Sequence, residues 1–164
     1  IGAWGITAAM IPDVDINVLA LEERPEVVQC ITNPLNSSGS MAMAAREADH
    51  RAIIKAASER GCGVMGIRAV AAGALTDQID RAVKPHSAEQ RDYDLAAPFR
   101  DLAREFGLPV SQLAHQYALS LSGVDTVVLG VKNRQELKQA VEAEESALSQ
   151  ELLQSIDDLW AVGS

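Results

Sequence analysis

The chain has 164 residues, nearly half of them apolar and few of them aromatic, and its formal net charge at pH 7 is −9. That length is enough for one domain with a real core, so we treat residues 1–164 as a single domain. An acidic balance argues against a nucleic-acid surface, and no basic amphipathic segment or apolar run long enough to span a bilayer is visible. Cys30 and Cys62 are too few for a disulfide framework and lack metal-site spacing, which favours a cytoplasmic protein without a metal.

Four short segments read as strands of a parallel sheet. They are apolar on both parities and partly β-branched, which is typical of strands that are buried on both faces. The predicted strands are residues 1–3 (the tail of a strand), 27–32, 63–69 and 125–130.

Helical patterns separate these strands. The predicted helices are residues 14–21, 47–60, 94–106, 110–121, 133–143 and 149–160. Asn133 is a candidate N-cap, and Glu136 three residues later completes a variant of the capping box. Alternation of strands and helices indicates βαβ units and a parallel α/β sheet, whose ligands bind at the carboxyl ends of the strands.

A run of small residues, "AVAAGA" at positions 69–74, follows the third predicted strand. Small side chains allow a ligand to approach the main chain, and exposed N–H groups at such a turn bind anions such as phosphate. The alternative is a tight packing turn between a strand and a helix. The residues alone do not decide between these two interpretations.

Two basic residues follow the fourth predicted strand, in "VVLGVKNRQELKQAV". Lys132 and Arg134 lie beside the start of a helix, where the helix dipole disfavours cations. A bound anion such as an adenosine 2′-phosphate would reverse that preference. The alternative is a pair of solvated basic side chains in an acidic protein.

The remaining titratable residues carry weaker signals. His50 is interpreted as solvated on its helix, His115 as partly buried packing, and Tyr117 as core. His86 lies in the long loop after the third strand, so it is the histidine with a functional interpretation. Tyr93 could reach the edge of a site, but no lysine is motif-placed beside it.

Taken together, these stretches resemble the C-terminal half of an aldo-keto reductase, a (β/α)₈ TIM barrel that binds NADPH at the carboxyl ends of its strands. "IGAWGIT", "PEVVQCITNPLN", "GCGVMGIRAVAAGALTD" and the block from "GLPVSQLAHQ" to "ELKQAV" resemble the family's strands five to eight in order. The resemblance covers essentially the whole chain. It implies a half-barrel portion of parallel strands.

The resemblance also implies cofactor contacts. Gln29 would bind the nicotinamide carboxamide, the turn after strand seven would line the pyrophosphate, and the loop after strand eight would hold the adenosine phosphate. The implied NADP(H)-binding residues are Gln29, Arg68, Ala69, Val70, Ala72, Gly73, Gly130, Val131, Lys132, Asn133, Arg134 and Glu136.

The sequence departs from the family pattern in several places. Glu136 stands where a glutamine is usual, Ala140 where an asparagine is frequent, and Ile67 where an aromatic ring often stacks on nicotinamide. The family's catalytic tyrosine, lysine, aspartate and histidine belong to its first four strands, so no catalytic residue is assigned in this chain.

The sequence therefore predicts part of an NADP-dependent oxidoreductase that transfers hydride between nicotinamide and a small-molecule carbonyl or alcohol, with the 164-residue chain catalytically incomplete on its own. Its expected protein partner is the missing N-terminal half of the barrel or a second copy of itself. A nucleotide-binding half-barrel without turnover and a non-catalytic interaction scaffold are the alternatives.

Overall fold

The computed structural model describes residues 2–9, 11–41 and 49–160 of the chain. Within them, four parallel strands form one sheet in the order β1-β2-β3-β4. The strands are β1 (Gly5–Ala8), β2 (Val27–Ile31), β3 (Gly63–Ile67) and β4 (Thr126–Val127). The helices are α1 (Pro12–Leu19), α2 (His50–Glu59), α3 (Ala88–Leu95), α4 (Ala97–Glu105), α5 (Val110–Ser120), α6 (Arg134–Glu145) and α7 (Gln150–Asp158). The predicted parallel α/β architecture is confirmed.

The two faces of the sheet differ because successive side chains of a strand point to opposite faces. One face packs on α1 and α2, and its buried members include Val28, Cys30 and Val64. The other face carries the register row Thr7, Gln29, Met65 and Thr126, whose side chains are partly or fully exposed. Most of the hydrophobic core on the sheet therefore lies on the side of α1 and α2, and Ile31, which shares the face of Gln29, is also buried.

A second core lies beside the carboxyl end of β3. Its buried members come from α4, α5, α7 and the segment that follows β3, and Phe99 and Tyr117 are its largest side chains. The Tyr117 hydroxyl donates to Asp157 Oδ1 at 2.8 Å, so its one polar atom is satisfied within the core. The prediction that Tyr117 is core is confirmed.

The first strand lies later than predicted. Residues 2–3 are not in a strand, Ile1 lies outside the described residues, and β1 begins at Gly5. A Cβ at Gly5 would lie 2.6 Å from the Val27 carbonyl oxygen, so the absence of a side chain allows β1 to pair with β2 here. The fourth strand is shorter than predicted, because ladder pairing with β3 covers only Thr126 and Val127.

The helix predicted over residues 94–106 is two helices. α3 ends at Leu95 and α4 begins at Ala97, with a proline, Pro98, in its first turn. A proline lacks the N–H that would continue the ladder and restricts the residue before it, so the helix is interrupted there. The helix predicted over residues 47–60 begins at His50 in the structure, and residues 47–48 lie outside the described part.

His50 is buried, and the prediction that it is solvated is wrong. Its position precedes Ile53, Ile54 and Ala57 by three, four and seven residues, so it belongs to the apolar face of α2 that packs on the sheet. Both ring nitrogens lack a hydrogen-bond partner among the described residues. Cys30 is buried in β2, and burial raises the pKa of its thiol to about 12.

No helix among the described residues is long and apolar enough to cross a membrane.

Protonation of His50 should destabilise the fold. Burial lowers the pKa of His50 from 6.5 to about 4, against a smaller opposing effect of Asp49. An unfolded chain takes up the proton below about pH 6.5 and the folded chain only near pH 4, so this group should lower the free energy of unfolding by about 2 kcal/mol between pH 7 and pH 5. Urea unfolding at both pH values measures this difference.

The variant His50→Leu should lose most of that pH dependence. His86→Asn is the matched control, because His86 is exposed and has a positive φ of 60° that asparagine tolerates. A His50→Leu protein that loses as much stability as the wild type between pH 7 and pH 5 would contradict the assignment to this histidine.

Candidate functional site

A cleft of about 450 Å³ opens where β3 and β4 end. The turn after β3, the loop towards α3, the start of α6 and one side of α5 form its walls. It brings together seven of the predicted cofactor-binding residues, Val70, Ala72, Gly73, Gly130, Val131, Lys132 and Glu136. The two predicted phosphate-binding segments therefore share one cavity, although about 60 residues separate them in sequence.

The turn after β3 has an unusual backbone. Arg68, Ala71 and Ala72 have φ values of 57°, 46° and 55°, and Gly73 has a φ of 96°. Non-glycine residues adopt this left-handed region infrequently, and it is least costly for short side chains. The small residues of "AVAAGA" thus serve a local backbone requirement as well as leaving room in the cleft.

Several amides of this turn are used internally. The Ala71 amide donates to the Arg68 carbonyl at 2.8 Å, and the Gly73 amide donates to the Val70 carbonyl at 2.9 Å. Among the described residues, the amides of Ala69, Val70 and Ala72 have no acceptor, and of these three residues Val70 and Ala72 line the cleft. The packing interpretation and the anion interpretation therefore both describe part of the turn, and Val70 and Ala72 are the amides available to a ligand.

The loop between β4 and α6 forms the opposite wall. Asn133 is the N-cap of α6, and its Oδ1 accepts from the Glu136 amide at 2.9 Å. Glu136 reciprocates, since its Oε2 accepts from the Lys132 amide at 2.7 Å. The predicted N-cap is confirmed, whereas the second bond of the box differs, because Glu136 accepts from the amide before the N-cap residue.

Charged side chains meet across the cleft. The Lys132 ammonium donates to the carboxylate of Asp80, which lies in the loop after β3. This contact lowers the pKa of Asp80, chiefly through the hydrogen bond. Arg81 donates from Nη1 to the Ala72 carbonyl at 2.8 Å and so ties the same loop to the turn. Arg134 is exposed, with no ion-pair partner in the described part of the chain.

Arg68 does not line the cleft. Its side chain turns towards the loop after β2, where Nη1 lies 3.5 Å from Met41 Sδ and Nη2 lies 2.6 Å from the position that a Gly39 Cβ would take. Burial lowers the pKa of Arg68, and Nε and Nη2 have no partner among the described residues. Ala69, Asn133 and Arg134 likewise lie beside the cleft without lining it.

Gln29 lies on the exposed face of the sheet, away from the cleft lining. Its Oε1 accepts from the Thr7 hydroxyl at 2.9 Å. This hydrogen bond orients the side-chain amide and does not use Nε2. A side-chain amide held by one hydrogen bond in this way keeps two donors for a ligand carbonyl.

Sequence reasoning missed seven further residues of the cleft. All seven come from the loop after β3 and from α5, namely Thr76, Asp77, Gln78, Asp80, Arg81, Ser111 and His115. His115, predicted to be packing, is buried, has its pKa lowered by burial and leaves Nδ1 without a partner among the described residues. Its four-residue spacing from Ser111 on one helix was the available signal.

The other candidates lie elsewhere. His86 does not line the cleft, and its carbonyl accepts from Arg91 Nη1 at 2.7 Å. The Tyr93 hydroxyl donates to the carbonyl of Asp77, a cleft residue, at 2.7 Å, so Tyr93 supports the wall of the cleft. No cluster of His, Cys, Asp and Glu side chains that could hold a metal occurs among residues 2–9, 11–41 and 49–160.

The fold and the cleft define a parallel α/β protein with a ligand cavity at the carboxyl ends of its strands. The model of the aldo/keto reductase family matches residues 1–161. The chain belongs to the aldo/keto reductase family. A search of the curated proteins found no match to the chain.

Solved structures support the same fold. The aldo-keto reductase AKR11C1 from Bacillus halodurans, in its holo form, superposes with a TM-score of 0.69 at 24% identity, over 96% of this chain and 49% of that one. The glycerol dehydrogenase AKR11B4 from Gluconobacter oxydans gives a TM-score of 0.61 at 17% identity, over 82% and 42% of the two chains. The chain spans about half the length of these structures, or less, and its sheet is similar to part of an aldo-keto reductase barrel.

The backbone of the turn should resist a side chain at Gly73. An alanine there would have to adopt a φ of 96°, which we expect to cost about 1–2 kcal/mol of folding stability. Gly130→Ala is the matched control, because a Cβ at Gly130 meets nothing within 4 Å and its φ is not positive. Urea unfolding of the two variants compares them, and equal stability losses would show that the left-handed backbone is not the constraint.

Proposed function

We propose that this chain supplies the dinucleotide site of an NADP(H)-dependent aldo-keto reductase. The reaction is the transfer of hydride between the nicotinamide ring and the carbonyl or alcohol carbon of a small molecule. The single observation that carries the proposal is the cleft shared by the small-residue turn after β3 and the capped start of α6. Family membership supports it, because the same two segments carry the resemblance.

The proposed orientation of the cofactor follows from the charges and amides of the cleft. The α6 end offers Lys132, Arg134 and a helix N-terminus, which suit an adenosine phosphate. The free amides of Val70 and Ala72 suit the pyrophosphate. Gln29, on the open face of the sheet, suits the carboxamide of nicotinamide at the far end.

The chemistry of hydride transfer would belong mainly to the bound cofactor. This chain's residues would bind the dinucleotide, hold its phosphates and orient the nicotinamide. Tyr93 and Tyr117 have their hydroxyls engaged with Asp77 and Asp157, so neither is a free proton donor in the described structure. The proton donor would accordingly come from the other half of a barrel.

Both edges of the sheet suit a protein partner. The strands β1 and β4 each pair with a neighbour on one side among the described residues. Exposed large apolar side chains adjoin both strands in sequence, Trp4 before β1 and Val128 and Leu129 after β4. Unpaired strand edges with apolar neighbours favour association, either with an N-terminal half of the barrel or with a second copy.

We also propose a cytoplasmic location, which two buried free thiols suit. A dinucleotide-binding module without turnover is the second candidate, favoured by the engagement of both tyrosine hydroxyls.

The double substitution Lys132→Ala with Arg134→Ala should weaken NADPH binding by about 10- to 100-fold and NADH binding much less, because only NADPH carries a phosphate for these cations. Fluorescence titration of the full-length protein with each dinucleotide measures the two affinities. Lys138→Ala is the matched control, since Lys138 pairs with Glu142 on the exposed side of α6. Equal losses for both dinucleotides would refute the phosphate assignment, and a protein that binds neither would leave only a scaffold role.

The 164-residue chain alone should not reduce an aldehyde with NADPH, because the hydroxyls of Tyr93 and Tyr117 are engaged and the proton donor is proposed to come from the other half of the barrel. A coupled absorbance assay at 340 nm tests this. Turnover by the isolated chain would contradict the proposal that the proton donor comes from the other half of the barrel.

The oligomeric state is a separate question. Size-exclusion chromatography with mass measurement, with and without NADPH, distinguishes a self-associated protein from a monomer.

A further inference from the structure

The start of α6 already contains an anion that belongs to the chain. Both carboxylate oxygens of Glu136 are engaged, Oε2 with the Lys132 amide at 2.7 Å and Oε1 with the Asn133 side-chain amide at 3.0 Å. These donors are among those that a phosphate at this helix start would use. The negative charge of Glu136 therefore occupies the same end of the cleft as the proposed 2′-phosphate.

A second carboxylate faces the same lysine. Asp80, from the loop after β3, accepts from the Lys132 ammonium, and both Asp80 and Glu136 line the cleft. A 2′-phosphate would carry more than one negative charge into a place where the Asp80 carboxylate already accepts from the Lys132 ammonium and the Glu136 carboxylate accepts from the Lys132 amide. A 2′-hydroxyl is neutral, and it can donate a hydrogen bond to a carboxylate oxygen.

A simpler role for Glu136 is helix capping, and its hydrogen bonds fit that role. A glutamine would provide the same acceptor to the Lys132 amide without the charge. A carboxylate in the first turn also interacts favourably with the helix dipole, so capping accounts for the charge as well. The same charge acts on a ligand that enters the cleft, because Glu136 lines it.

On the basis of the dinucleotide site proposed above, we infer that Glu136 sets the choice between the two nicotinamide dinucleotides. Its carboxylate opposes a 2′-phosphate and accepts from a 2′-hydroxyl, so the wild-type protein uses NAD(H) as well as NADP(H). Lys132 and Arg134 attract the phosphate, and Glu136 limits the preference that they create.

The isosteric variant Glu136→Gln tests this inference, with Glu144→Gln as the matched control on an exposed part of the same helix. Affinities of the full-length wild-type and variant proteins are measured for NADPH and NADH. The same titrations with 2′,5′-ADP and 5′-ADP report on the adenosine half alone. Thermal unfolding of each protein shows that the variants are folded.

The wild-type dissociation constants for NADPH and NADH should lie within about tenfold of each other. Glu136→Gln should shift their ratio towards NADPH by about 5- to 20-fold, and the ratio for 2′,5′-ADP and 5′-ADP by a similar factor, whereas Glu144→Gln should leave both ratios unchanged. A wild-type preference for NADPH above about 100-fold would overturn the inference. So would a shift below twofold in a folded Glu136→Gln protein.

The two proposals fail in different ways. A wild-type protein that binds neither dinucleotide refutes the proposed function, and the inference falls with it. A wild-type protein that binds both, with a ratio that Glu136→Gln does not change, refutes only the role of Glu136.

Discussion

The turn after β3 packs against a hydrophobic core on one side and lines the cleft on the other. Much of the candidate site depends on this double constraint. Ala71, Ala74 and Leu75 are buried against the core that contains Phe99 and Tyr117. Arg100, itself largely buried, donates from Nη1 to the Ala74 carbonyl at 3.0 Å and so secures the far end of the turn. With one side of the turn fixed in the core, Ala72 and Gly73 are presented to the cleft, and the left-handed backbone is stabilised by the packing around it.

The electrostatics of the cleft follow from loops that meet only after folding. Lys132 belongs to the β4–α6 connection, whereas Asp80 and Arg81 belong to the loop after β3. The chain has a net charge of −9, so carboxylates are available to neutralise the basic side chains of the cleft. Those basic side chains attract an anionic ligand only where that neutralisation is incomplete. Here both signs are present, which supports the proposed discrimination between ligands of different charge.

Local signals explain what the sequence could predict. The helix α5, the Asn133 cap of α6 and the strands β2 and β3 depend on residues within a few positions of each other, and the structure contains all of them. The prediction that the strands are buried on both faces is wrong, because Gln29 and Met65 lie on a partly exposed face. The pairing of Lys132 with Asp80 spans 52 positions and joins two irregular loops, and no periodicity encodes it.

Two other predictions are wrong although the sequence does indicate the observed structure. His50 completes the apolar spacing of α2, although its charged sequence neighbours Asp49 and Arg51 favour an exposed position. Pro98 marks the break between α3 and α4, where a single helix was predicted. The shortness of β4 had no such signal, because a strand at the edge of a sheet depends on a neighbour that its own sequence does not specify.

In the proposed function, this chain binds the cofactor, but one face of its sheet leaves the reacting carbon uncovered. Thr7, Gln29, Met65 and Thr126 form one row across all four strands, and the helices α1 and α2 cover only the opposite face. In the proposed arrangement the adenosine end of the dinucleotide is held by α6, and the nicotinamide lies over this uncovered row near Gln29. Hydride transfer needs a site from which water is excluded, and a half-exposed row of side chains does not exclude it. The reacting carbon would therefore be enclosed only when a partner covers the open face, which makes cofactor affinity a property of this chain and turnover a property of the assembly.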